Sequence, residues 1–133
     1  MIIPFYIALS AEEFTTLNAA DVDERFNAIK GAIETSLRPV IDIDVAFSDT
    51  ADALAEALDP STASGIIFGT RDWDDKGLTD GMRLNAPGQV ADYAAALESL
   101  DPDEFEVADV IDILTVFYAE ARNRGDAIVV YFN

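Results

Sequence analysis

Both ends of the chain carry runs too apolar to face water on two sides: residues 2–9 (IIPFYIAL) and 127–132 (AIVVYF). Their β-branched and aromatic side chains suit the packed surface of a sheet. Pro4 stands near the start of the first run, where a missing backbone N–H is easiest to accommodate. Two such strands belong in one small sheet, mixed or antiparallel, and they need helices to cover them.

Helices are legible between the two runs. Ser10 with Glu13 three residues on is a capping-box pattern, which predicts a short helix burying Phe14 and Leu17. Asp21 with Glu24 repeats it, and Val22, Phe26, Ile29, Ile33 and Leu37 recur at helical spacing until Pro39 stops the run. Next, Ile41, Ile43, Val45 and Phe47 alternate as a strand does, whereas Phe47, Ala51, Leu54 and Leu58 form a helix face; both fit if Asp44 caps the helix. Residues 59–65 read as the end of that helix, with a short apolar run at 66–68. Residues 69–81 (GTRDWDDKGLTDG) have turn formers at nearly every second position and read as a surface loop.

Pro87 opens a further helix over 87–99, with Val90, Tyr93, Ala94 and Leu97 in register. Asp101-Pro102 opens another, expected over 105–123, whose stripe runs Val107, Val110, Ile111, Leu114, Phe117, Tyr118 and Ala121. Arg122, Arg124 and Gly125 close it, because cations favour a helix C-terminus and glycine the left-handed residue beyond. The expected fold is α+β, a single domain over 1–133, with the helices at 87–99 and 105–123 against the apolar face of the sheet.

Composition limits the chemistry. The 133 residues include 26 acidic and 8 basic side chains, a net charge of −18, yet 50% are hydrophobic, enough for a core. There is no Cys and no His. Thiolate nucleophiles, thiolate and imidazole metal sites and the Ser-His-Asp triad are therefore ruled out, and no catalytic residue or cofactor is expected. The charge opposes binding to nucleic-acid phosphates and to anionic membranes. No apolar run reaches ~18 residues, and the opening MIIPFYIALSAEEF lacks the basic region of a signal peptide, so a cytoplasmic protein is expected.

Several segments, in order, resemble the YfbM-like family, a bacterial family of unknown function. They are residues 5–17 (FYIALSAEEFTTL), Ile41-Asp42-Ile43-Asp44, residues 83–90 (RLNAPGQV) and residues 117–132 (FYAEARNRGDAIVVYF). Phe47 stands where that family usually carries Trp. The resemblance implies a mixed α/β fold with a helix beginning after Asp44, and it brings no catalytic residue.

Three groups are candidate sites. Asp72-Trp73-Asp74-Asp75-Lys76-Gly77 has the outline of a calcium loop, but counting from Asp72, position five is Lys76 and position twelve is Arg83, so two ligands are replaced by cations. Asp42 and Asp44, two apart, would share one face of a strand and hold a divalent metal, or Asp44 simply caps. Asp101, Asp103, Glu104, Glu106, Asp109 and Asp112 crowd one helix start beyond what its dipole requires. No metal site is expected from these sets. Trp73 either anchors an interface or folds back over the core, and Arg83 either binds an anion or ties down the loop through a carboxylate.

Three functions fit. The first is an acidic module that captures a basic protein, as immunity proteins or regulators do, through Asp72, Trp73, Asp74, Asp75, Asp101, Asp103, Glu106 and Asp109. The second is acidity as a halophilic or solubility adaptation. The third is a carboxylate-metal enzyme. The first is the reading adopted; an asymmetric acidic face would favour it, and uniform acidity the second.

Overall fold

A computed structural model describes residues 3–35, 38–73 and 81–132, with only the backbone for Val45. Strands β1 (Pro4–Leu9) and β5 (Ala127–Phe132) form the centre of a five-stranded antiparallel sheet. Its order is β2 (Val40–Asp42), β1, β5, β4 (Met82–Asn85), β3 (Arg71–Asp72). The two apolar runs pair along their full length, from Pro4 opposite Phe132 to Leu9 opposite Ala127. All six residues of β5 are buried. The strands at either edge are two and three residues long, which leaves little unpaired backbone to recruit another sheet.

Alternating side chains of the central strands enter two cores. On one face Ile7, Leu9, Val129 and Tyr131 meet α1 (Ala11–Asn18) and α2 (Val22–Thr35) through Phe14, Leu17, Phe26, Ile29 and Ile33. On the other, Tyr6, Ala8, Ile128 and Val130 meet the remaining helices: α3 (Phe47–Ala57), α4 (Pro60–Phe68), α5 (Pro87–Glu98) and α6 (Ala108–Arg124). The expectation of two helices on one apolar face captured half of this, because a strand apolar at every position is buried on both sides.

The helix starts follow the caps. Ser10 and Glu13 make the reciprocal capping box of α1, and the Asp21 carboxylate accepts the Glu24 amide at 2.9 Å. Leu37, which ends the stripe of α2 in the sequence, lies outside the described residues. Three helix boundaries differ from expectation, β2 stops at Asp42, and Arg71–Asp72, within the stretch read as a surface loop, form β3. Residues 60–68 form helix α4 rather than a helix end and a separate run: Asp59 accepts the Thr62 amide at 3.0 Å and Pro60 takes the first turn. Asp44 does not cap; it is left-handed at φ 52°, its amide donates to Asp42 at 3.2 Å, and a 3-10 turn (Asp44–Ala46) precedes α3. Finally, α6 begins at Ala108, not 105. Asp101 and Pro102 instead start a 3-10 turn (Pro102–Glu104), after which Phe105 is extended and joins the core with Val107.

Candidate acidic groove

α3 carries opposite stripes. Phe47, Ala51 and Leu54 face the core, and Asp49, Asp52 and Glu56, at positions i, i+3 and i+7, lie exposed on the other side. Across from them Glu104, which ends the 3-10 turn, and Glu106 are exposed to solvent, while Phe105 and Val107 pack against the core. The five carboxylates line a groove of about 480 Å³, with Ala53, Phe105 and Val107 at its base. Among the described residues no Lys or Arg lines it.

Charge is distributed unevenly around this groove. Between Arg38 and Arg71, and again between Arg83 and Arg122, the sequence has no basic residue. Those stretches supply α3, α4, α5 and nearly all of α6 and hold fifteen of the 26 carboxylates; among the described residues the cations on that side are Arg83 at the end of α4 and Arg122 and Arg124 at the far end of α6. None of the ion pairs among the described residues involves a groove residue: Arg38 with Glu13, Arg83 with Asp72, Arg122 with Glu98 and Arg124 with Asp126. Carboxylates left in a concave, cation-poor surface project a negative field that steers a basic partner.

The residues expected to bind a partner divide accordingly. Glu106 lines the groove, and Asp101, Asp103 and Asp109 are exposed along the same stretch, with Asp101 accepting the Asp103 amide at 3.1 Å. Asp72 sits on edge strand β3 and is paired with Arg83, whose guanidinium also donates to the carbonyls of Phe68 at 3.0 Å and Gly69 at 3.3 Å. Arg83 is thus a tie, not an anion site. Trp73 is 3% exposed, so it offers no interface anchor; its indole N–H donates to Asn18 at 3.0 Å, with Phe14 beside it and Arg25 over the ring. Asp74 and Asp75, with Lys76 and Gly77, lie outside the described residues.

The sequence reading missed Asp49, Asp52 and Glu56, although their helical spacing opposite the apolar stripe was there to be read. Among the described residues no three carboxylates converge as a metal site, and no helix is long and apolar enough to cross a membrane.

No family model matches the sequence, and no curated protein does. Among solved structures the chain is similar to YfbM from Escherichia coli, described as a protein of unknown function, with a TM-score of 0.68 and 16% identity. The likeness covers 98% of this chain and 99% of that one, and at such identity it is one of fold.

Proposed function

We propose, taking the YfbM-like fold as premise, that this chain is an acidic binding module that captures a basic protein, in the manner of an immunity or regulatory protein. The observation that carries the reading is the groove between α3 and residues 104–107, where five carboxylates face one concavity with no cation among its described lining residues. A solubility adaptation alone has no need to keep Lys and Arg out of residues 39–70 and 84–121, which hold fifteen carboxylates. The proposed setting is cytoplasmic, where a basic nucleic-acid-binding surface would need masking.

The test compares the natural chain with a variant carrying Asp49→Asn, Asp52→Asn, Glu56→Gln and Glu106→Gln. A partner recovered by pull-down should associate more slowly as salt rises, because screening beyond a Debye length of about 8 Å removes steering. The variant should lose most of that rate even in dilute buffer. A partner indifferent to both salt and these substitutions would leave the acidity as a solvation trait.

A further inference from the structure

A second depression lies farther along α6, with no lining residue in common with the acidic groove. Across its volume of about 360 Å³ Ile113 and Val116 face Ile41 of β2, and Phe117, Asp112 and Glu120 also line it. Ile113 is 46% exposed and Val116 57%, the two exposed large hydrophobics among the described residues. At roughly 100° per residue, Asp109, Asp112, Ile113, Val116 and Glu120 fall on one outward strip of α6. Single exposed apolar residues are ordinary, but two adjacent ones in a depression rimmed by carboxylates mark a contact surface.

Both depressions lie between the same stretches of chain, residues 41–56 on one side and 104–120 on the other. We infer that together they dock a basic amphipathic helix, whose apolar side chains cover Ile113 and Val116 while its Lys and Arg meet the carboxylates around them and in the acidic groove. This rests on the capture reading above and specifies the partner's chemistry. Charge complementarity selects the occupant. A second copy would bring Asp112 and Glu120 against their own counterparts in a chain of charge −18. A plain polycation would leave the apolar pair wet. From Ala108 to Val116 the helical rise is about 12 Å, a length that about two turns of a docked helix would match.

The probes are two synthetic peptides of equal charge: a 14-residue Leu/Lys peptide with Leu at helical i, i+3, i+4 spacing, and a Lys/Ser peptide. Anisotropy titrations against the full chain should show the Leu/Lys peptide binding at least roughly tenfold tighter. Ile113→Ser with Val116→Ser, both at exposed positions, should erase that advantage and leave the Lys/Ser affinity unchanged, with melting curves verifying the fold. Asp49→Asn, Asp52→Asn and Glu56→Gln should weaken both peptides. If the peptides bind equally, or the Leu advantage survives at Ile113→Ser/Val116→Ser, the docking inference fails and charge capture stands. If neither peptide binds, both fail. A concentration-dependent dimer abolished by Val116→Ser would assign the patch to a second copy and overturn the inference.

Discussion

Asn85 is fully buried beneath the end of α4, its amide donating to the Gly65 carbonyl at 2.9 Å and to the Tyr118 hydroxyl at 3.0 Å. Tyr118 donates in turn to Ile66 O, and Tyr6 to Ile67 O, both at 2.7 Å. With Arg83 on Phe68 O, side chains take up the last three carbonyls of that helix, Ile66, Ile67 and Phe68, while Gly65 O also accepts the Gly69 amide at 3.0 Å. Asn85→Leu removes the side-chain donor to Gly65 O and to the Tyr118 hydroxyl and the acceptor of the Thr70 hydroxyl, and should lower stability in urea by about 1–3 kcal/mol. Gly65 tests the same region by size, since a Cβ there would lie 2.2 Å from the Tyr93 hydroxyl. Gly65→Ala should therefore destabilise the natural chain, yet stabilise a Tyr93→Ala background by up to about 1 kcal/mol, the helix-propensity gain. Burial holds the Tyr6 and Tyr118 hydroxyls above their ordinary pKa, the Tyr118 shift persisting despite its bond from Asn85. Raised folded-state values mean that stability is complete below about pH 10 and is lost as pH climbs beyond it, by about 1.4 kcal/mol per unit for each tyrosine. Tyrosinate absorbance should show these two ionising only with global unfolding; free titration in the folded chain would contradict their burial.

Among the elements, α1 depends most on its cap, because none of its residues is buried. Ser10→Ala should cost about 1 kcal/mol in urea melts. Desolvation pushes the Glu13 carboxyl up, but hydrogen bonds from Arg38 and Ser10 outweigh it and hold it below the ordinary range. Hydrogen bonding from Arg122 does the same for Glu98 on α5. For such lowered carboxylates, stability is present above the ordinary pKa and is lost as pH falls through the folded value. Acidification should therefore loosen the α1 cap, seen as faster amide exchange at Glu13, whose amide donates to Ser10. Glu13→Gln should exchange at a rate that no longer depends on pH in that window beyond the intrinsic chemical term.

At the scale of the molecule, the accessible surface is 6681 Å², and −18 spread evenly over it would place net charges about 20 Å apart, well beyond the Debye length in physiological salt. Clustering restores the field: the α3–α6 layer concentrates carboxylates whose mutual repulsion opposes folding. Rising salt should therefore increase the melting temperature. Neutralising Asp101, Asp103, Glu106 and Asp109 to Asn or Gln should leave the fold intact, firmer in dilute buffer and less responsive to salt. Glu104 is left in place, keeping one carboxylate of that acidic turn. Thermal melts of both proteins across a salt series measure this, and equal salt slopes would show that these four charges do not feel one another.

The sequence by itself determined the elements that depend on local chemistry: two buried strands, the caps at Ser10 and Asp21, the helix opened by Pro87, the stripe of α6 and the cations and Gly125 that end it. Its acid-rich stretch at 101–112 also located one wall of the groove. Tertiary packing decided what local signals left open. Gly65 within α4 reads as a stop until Tyr93 is seen occupying the space a Cβ would need. The Asp101-Pro102 cap reads as a helix start until Phe105 is drawn into the core and the backbone extends to let it enter. Trp73, set among turn residues, is buried by α1 and Arg25, which are 48 or more residues away in sequence. The groove itself exists because the sheet's pairing brings α3 opposite residues 104–107, and no period in a sequence records which of two acidic faces will meet.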